Sequence, residues 1–426
     1  MSNKIDNEGD NIMINVAILA ASRGVSLVAT FRKALQHMGG GNLYALDVVD
    51  CKPALFFADE AVICPHTDDP NYISFLTSFC RNNQINLLFS CRDEDLQMLS
   101  RHKLQIEKTG CKVMVADEKT IEICSDKNKF YKFCIKNNFS TPRVFTKNEK
   151  KSFPLFVKPV EGKGSRNNFI VKNEKFLNAI IENYDENFII QEFVKEDEYT
   201  IDLFSDFEGN VISVVPRKRI LTIAGESYHG KTFNNQTIID ESIRMAKLLK
   251  LIGHNTIQCF YNGSVVKFIE INPRFGGAAN LGIASGHNTP EYLIKIISGE
   301  KIESQVGKFI NDLVMLRYTS DLFVNKPEEK NKIFCIDIDG TICTEGEEYH
   351  LAKPIPKVIK KINKLYENGN KIILFTSRGV YSGYDWSVLT KKQLQDWNVK
   401  YHELYFKKPY ADYYIDNKAI DILYWN

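Results

Sequence analysis

The chain is apolar from residue 14 to residue 20 and runs into Ser22-Arg23-Gly24, after which positions 27–38 take helical spacing. That order predicts a strand, a tight turn and a helix. Apolar runs at 43–49, 60–64, 87–90 and 112–116 predict four more strands, and the patterns at 71–82 and 94–109 predict helices between them. Such alternation wraps helices around a parallel sheet. The loop after Ala20 carries no GxGxxG, so no dinucleotide site is read there.

The texture changes near Asp126. Residues 130–138 read as a helix stopped by Thr141-Pro142, and 154–159 as a strand entering Glu161-Gly162-Lys163-Gly164-Ser165-Arg166. Strands at 188–194 and 198–204 follow, and 211–215 pairs with the latter across the turn-rich 206–210 as a hairpin. This is an α+β arrangement. A short charged stretch with Pro327, 326–332, predicts a linker. Beyond it, strands at 332–338, 371–376 and 413–415 alternate with helices at 356–368 and 389–397. The fold class is therefore α/β and α+β multidomain: a disordered start at 1–12, an α/β domain at 13–125, an α+β domain at 126–325, the linker, and a second α/β domain at 333–426. No internal repeat is evident.

With 426 residues the chain exceeds one small core. Apolar residues at 44% and charged residues at 25% fit a globular protein, and a net charge of +2 favours neither nucleic acid nor an anionic membrane as partner. The ten cysteines show no CxxC pair or zinc spacing, which fits reduced thiols in a cytoplasmic protein. Residues 1–12 are polar and acidic, unlike a secretory signal, and no apolar run reaches the ~18 residues of a membrane span.

Two acidic constellations carry candidate chemistry. Lys158 at a strand end, with Lys163 and Arg166 in the Gly-rich loop behind it, offers cations and backbone N–H groups to a polyphosphate. Glu270 and Asn272 stand two apart in a strand, so they share a face and can jointly ligand a hard cation; Arg274 follows, placed to hold a phosphate or acyl phosphate. Read alone, Glu270 and Asn272 equally fit an exposed strand face ending in an Asn-Pro turn. The second constellation is Asp337-Ile338-Asp339-Gly340-Thr341, whose carboxylates lie on one side of a strand end. One can attack phosphorus while the other donates a proton, although a strand ending in an Asp-Gly turn explains the pair as well.

Taken in order, Pro70-Asn71-Tyr72-Ile73, Asp126-Lys127, Phe156-Val157-Lys158-Pro159, Gln191-Glu192-Phe193, Gln258 and Glu270-Ile271-Asn272-Pro273-Arg274-Phe275-Gly276-Gly277 resemble the ATP-grasp superfamily, most closely its carbamoyl-phosphate-synthase-like and biotin-carboxylase-like members. The resemblance runs over about residues 14–316 and implies a pre-ATP-grasp parallel sheet followed by the ATP-grasp fold. It implies that Lys127 and Lys158 contact ATP phosphates under the loop bearing Gly162, Gly164 and Ser165. Glu192 and Val194 would meet the adenine edge and Glu198 the ribose. Gln258, Glu270 and Asn272 would ligand magnesium, with manganese as a substitute ion, and Arg274 would face phosphate. Gln258 is an amide where other members place a carboxylate, a departure shared by the carbamoyl-phosphate-synthase-like group. Arg217, Arg219, His229 and Lys231 would be substrate contacts, or, for the two arginines, part of a solvated hairpin. His287 would also lie near the site.

Asp337 and Asp339, then Thr376 at the end of an apolar strand, Phe406-Lys407-Lys408-Pro409, and Tyr413-Tyr414-Ile415-Asp416-Asn417 resemble the haloacid-dehalogenase-like phosphatases in their order, with capsule-biosynthesis-type members the nearest likeness. This implies a Rossmann-like domain with Asp337 as nucleophile, Asp339 as general acid and base, Thr376 and Lys408 on phosphate oxygens, and magnesium on Asp337, Asp416 and the carbonyl of Asp339. Lys407 is the alternative to Lys408, and Asn417 stands where many members have a second Asp. About thirty residues separate Thr341 from the next strand, so the domain is capless and its open site needs another wall.

Together the two resemblances imply a bifunctional enzyme. One part is an ADP-forming, ATP-dependent carboxylate–amine ligase acting through an acyl phosphate, and the other a magnesium-dependent phosphatase for a related metabolite. Its partners are then a small carboxylate, an amine and a phosphorylated metabolite, with homodimerisation left open. The alternatives are an ATP-grasp kinase, and a phosphatase-like domain serving only as a binding module.

Overall fold

A computed structural model of the chain describes residues 13–146, 149–161, 167–184, 187–323, 331–346 and 348–408. Residues 1–12, most of the expected linker, Gly162, Gly164, Ser165 and their loop neighbours, the strand at 413–415, Asp416 and Asn417 lie outside the described residues.

The first region contains β1 (Val16–Leu19), α1 (Val25–His37), β2 (Leu43–Asp47), β3 (Glu60–Ile63), α2 (Tyr72–Asn82), β4 (Leu87–Ser90), α3 (Asp93–Arg101), α4 (Lys103–Glu107), β5 (Lys112–Val113) and α5 (Glu118–Ser125). Its five strands form a parallel sheet in the order β3-β2-β1-β4-β5. Both faces are covered, so β1, β2 and β4 are buried throughout and read as unbroken apolar runs. On α1, Leu27, Val28, Phe31, Ala34 and Leu35 fall on one buried stripe, as the 3.6-residue period requires. The single helix expected at 94–109 is instead two, α3 and α4, interrupted at His102.

The middle region begins with α6 (Lys127–Lys136), earlier than the apolar pattern indicates, because the Asp126 side chain caps it by accepting from the Asn128 and Lys129 N–H groups. There follow β6 (Leu155–Pro159), β7 (Phe169–Val171), α7 (Glu174–Asn183), β8 (Phe188–Glu192), β9 (Asp197–Ser205), β10 (Val211–Ile223), β11 (Glu226–Thr232), α8 (Gln236–Leu249), β12 (Gly253–Tyr261), β13 (Val266–Asn272), α9 (Ala279–Ala284), α10 (Thr289–Ile297) and β14 (Val314–Leu316). A small antiparallel sheet, β7-β6-β8, packs with α7, and a six-stranded sheet runs β13-β12-β9-β10-β11-β14. The β9–β10 hairpin turns where expected, with Asp206 Oδ1 accepting from the Glu208 and Asn210 N–H groups. One face of the large sheet packs on α6 and α8 in a continuous core. Another core joins the first region to the middle one: Phe275, Ala279, Leu293 and Ile294 pack with Phe31, Leu35 and Phe89.

The last region holds β15 (Ile333–Asp337), α11 (Pro356–Glu367), β16 (Lys371–Phe375), α12 (Ser387–Asp396) and β17 (Glu403–Tyr405). Its strands form a parallel sheet in sequence order around a core of its own. Lys357 on α11 touches the first region, its Nζ donating to Ala58 O at 2.9 Å and lying 3.6 Å from Asp59. All ten cysteines are free thiols, and only Cys51 and Cys335 are exposed. Among the described residues no helix is long and apolar enough to cross a membrane.

Candidate functional site

The open face of the large sheet gathers charge by register. Thr200 on β9 sits opposite Arg217 on β10 and Gln258 on β12, and Gln258 sits opposite Glu270 on β13. Because alternate residues share a face, Glu198, Thr200 and Asp202 line up beside Arg217 and Arg219, beside His254, Thr256 and Gln258, and beside Glu270 and Asn272. Arg219 Nη1 pairs with Glu198 Oε1, and Arg219 Nη2 donates to Gly225 O at 2.7 Å. Gln258 completes this group in the amide orientation that satisfies both ends: its Nε2 donates to Glu270 Oε1 and its Oε1 accepts from Arg219 Nη1, each at 2.5 Å.

Electrostatics mark the same spot. Burial pushes the Glu198 carboxyl up, opposed by Arg219 and reinforced by Glu270. Lys158, at the end of β6 and only 4% exposed, is pushed down by burial while Glu270 pulls it back. The oxygens that suit a hard ion here are those of the Glu270 carboxylate and of the Gln258 and Asn272 amides. Among the described residues no three His, Cys, Asp or Glu side chains converge, so any magnesium here depends on the amide oxygens.

The other expected residues are distributed as follows. Lys127 Nζ donates to Val160 O at 3.3 Å, next to β6. Glu192 ends β8, its Oε1 accepting from the Arg143 N–H at 3.3 Å and from Lys267 Nζ at 3.5 Å, and Val194 is half-buried in the link to β9. Glu198, expected at the ribose, pairs with Arg219. Arg217 is neither solvated nor open to substrate: it is 2% exposed and paired with the fully buried Asp202 at 2.7 Å. His254 stacks on Phe275 at 4.2 Å, and His287 is buried with Ser213 Oγ at 2.5 Å from its Nδ1, so His287 belongs behind the site and not in it. Lys231 pairs with Asp312, while His229 is half-buried on β11. Arg274 has a partner that the sequence did not suggest. Its Nε and Nη2 donate to the two carboxylate oxygens of Asp93, at 2.9 and 2.6 Å.

The C-terminal cluster sits at the carboxyl ends of β15 and β16. Asp337 Oδ1 accepts from the Ile338 N–H at 2.9 Å, and Oδ2 pairs with Lys408 Nζ. Lys408 is therefore the cation of the pair, and Lys407 is exposed. Burial pushes the Asp337 carboxyl up against the opposing pull of Lys408. Asp339 accepts from Thr376 Oγ1 at 3.1 Å and from Arg378, through Nε at 3.0 Å and Nη2 at 2.6 Å. Arg378 escaped the sequence reading. It is 2% exposed, and its Nη1 donates to Thr390 Oγ1 at 3.1 Å and Gln393 Oε1 at 2.7 Å, while the Tyr349 ring lies 4.7 Å away. Its signal was the third position of Thr376-Ser377-Arg378, directly after a buried strand. Asp337 fits a hard cation, but Asp416, its expected co-ligand, lies outside the described residues.

Comparison with known proteins adds identity to this geometry. Residues 16–114 match the PylC-like N-terminal domain family, and residues 124–278 match the ATP-grasp domain family. The chain is similar to tyramine–L-glutamate ligase of Methanocaldococcus fervens, 25% identical over 56% of this chain and 75% of that enzyme. It is also similar to D-alanine–D-alanine ligase of Clostridium botulinum, 39% identical but over only 16% of this chain and 24% of that enzyme. The biotin carboxylase domain dimer of Hydrogenobacter thermophilus 2-oxoglutarate carboxylase, solved with MgADP, ADP and bicarbonate, shares the fold with a TM-score of 0.56 at 15% identity, over 71% of this chain and 74% of that one. The matched spans thus put a PylC-like N-terminal domain at 16–114 and an ATP-grasp domain at 124–278 of this chain.

Proposed function

We propose that residues 13–325 form an ATP-dependent carboxylate–amine ligase and residues 333–426 a phosphatase, joined by 326–332. The observation that carries the ligase reading is the cross-strand group Glu198, Arg219, Gln258 and Glu270 beside the buried Lys158. The names of the similar proteins support it, since tyramine–L-glutamate ligase and D-alanine–D-alanine ligase both join an amine to a carboxylate.

In this reading a carboxylate oxygen of the substrate attacks the γ-phosphorus of ATP, the bond from phosphorus to the β,γ-bridging oxygen breaks, and ADP leaves. The amine then attacks the acyl carbon, phosphate departs, and the nitrogen loses a proton. Lys127, Lys158 and Arg274 hold charge on the phosphoryl oxygens, the resemblance would add Gly162, Gly164 and Ser165 as phosphate contacts, and Glu192 with Val194 borders adenine. Gln258, Glu270 and Asn272 would hold magnesium, which supplies charge neutralisation to the phosphates when bound. Glu198 orients Arg219 as well as, or in place of, meeting the ribose.

In the C-terminal region Asp337 attacks phosphorus while Asp339 protonates the departing oxygen; Asp339 then takes a proton from the water that attacks phosphorus, which breaks the bond to Asp337 and releases phosphate. Thr376 and Lys408 steady the phosphate, and Asp416 would join Asp337 on magnesium. The geometry that supports this is the pairing of Asp337 with Lys408 and of Asp339 with Thr376.

The test is ADP release against panels of carboxylates and amines, with hydroxylamine as a trap. A ligase yields a hydroxamate of the activated acid. ADP release without hydroxamate, and with a phosphorylated alcohol as product, would instead make the ATP-grasp half a kinase.

A further inference from the structure

The guanidinium of Arg274 carries five N–H donors in a fixed plane. Nε and one Nη2 hydrogen go to Asp93, and one Nη1 hydrogen goes to Phe275 O at 3.0 Å. Asp93 therefore consumes the side edge of the plane. Among the contacts of the described residues, one hydrogen on each terminal nitrogen is left, a pair of donors for an anion such as a carboxylate or phosphoryl group.

Asp93 is the first residue of α3, 181 positions from Arg274, and belongs to the PylC-like N-terminal domain. The rest of the turn is held from the same domain. Phe275 meets Phe31 edge-on at 5.7 Å and Phe89 at 5.3 Å. From the ATP-grasp sheet, Thr256 Oγ1 donates to Arg274 O at 3.0 Å and His254 stacks on Phe275. The backbone of Arg274 is thus fixed by one domain and its charged end by the other.

We propose that Asp93 is a positioning residue for acyl-phosphate formation: it sets the plane of Arg274 so that the second donor pair meets the transferring phosphoryl group, which makes the N-terminal domain part of the ligase active site. The proposal rests on Arg274 facing phosphate in an ATP-grasp ligase. Asp93 contributes geometry, because a guanidinium held at both edges needs no reorganisation when charge develops in front of it.

Three full-length proteins decide it: wild type, Asp93→Asn, which keeps size and one acceptor, and Asp93→Glu, which keeps the carboxylate on a longer arm. ADP release is measured with ATP varied and expressed per folded molecule. Asp93→Asn is expected to lower kcat by about 10–100-fold with the KM for ATP moved less than about threefold, and Asp93→Glu to recover part of the loss. A purely structural role lowers the folded fraction or the melting temperature and leaves kcat per folded molecule unchanged, and that result overturns the proposal. So does an equal loss in ATP affinity. Binding of ADP with and without aluminium fluoride separates this from failure of the ligase reading. Wild type is expected to bind ADP more tightly with the fluoride and Asp93→Asn to lose that gain while binding ADP alone as before; a wild type that binds no nucleotide removes the ligase reading itself.

Discussion

Four antiparallel strands are needed to bring Glu198, Arg219, Gln258 and Glu270 together, whereas the C-terminal cluster takes both aspartates from one strand end and Thr376 from the end of its parallel neighbour. In the sheet-face cluster Glu198 pairs with Arg219 across the strands while Glu270 accepts from the Gln258 amide, and behind them the buried Arg217–Asp202 pair continues the same ladder. In the C-terminal cluster the strand ends do most of the positioning, and the buried Arg378 with Thr376 holds the second aspartate. A site spread over a sheet face depends on the register of the whole sheet. A site at strand ends depends on a few local turns.

The largest expected effect separates the two regions outright. Asp337→Asn should lower hydrolysis of an aryl phosphate by on the order of 10⁴-fold or more and leave ADP release within about twofold. Glu270→Gln should do the reverse, lowering ADP release by about 10²–10³-fold with aryl-phosphate hydrolysis unchanged. Steady-state assays of both activities on both variants check this, and a substitution that depresses both would mean that the regions work as one site.

Next comes the cost of the ladder. Asp202→Asn leaves Arg217 charged and buried without its partner, so urea unfolding should report a loss of about 3–5 kcal/mol. A loss below about 1 kcal/mol would mean that the sheet face is held by packing alone and that its ion pairs follow from the register instead of fixing it.

The smallest effect is a pH slope confined to the same region. Burial first, then His254 and Arg217, push the His287 imidazole from its ordinary 6.5 down to about 3. The unfolded chain takes up this proton near pH 6.5 and the folded protein only near 3. The stabilisation is therefore intact above pH 6.5 and falls as pH drops, by up to about 1.4 kcal/mol per pH unit from this residue. His254, shifted the same way, adds to it. Urea melts at pH 7.5, 6 and 5 read the slope, which His287→Gln should flatten. A flat wild-type profile would contradict the buried neutral imidazole.

This contrast also explains what the sequence disclosed. Asp337 and Asp339 are two residues apart on one strand end, so their pattern is local and legible, as is the alternation of Glu270 with Asn272 on β13. The partners are not local. Asp93 reaches Arg274 across 181 positions, and Arg219 reaches Glu198 only because β10 pairs antiparallel with β9. A charged Arg217-Lys218-Arg219 run reads as a solvated hairpin, yet the long β10 continues into the sheet interior and buries Arg217. Strands β11, β12 and β14 carry His, Gln and exposed apolar residues in place of clean alternation, which left them unread. The break at His102 has no glycine or proline to announce it.

The thiols of this protein set up a measurement of their own. Burial raises Cys64 to about 11 and Cys91, Cys134 and Cys343 to about 12, keeping them protonated and unreactive at neutral pH, while Cys51 and Cys335 alone are exposed. Cys51 lies just past β2 in the N-terminal region and Cys335 on β15 in the C-terminal one. The unaltered chain thus offers one dye attachment point in each half, and the energy transfer between two maleimide labels would report directly whether nucleotide draws the halves together.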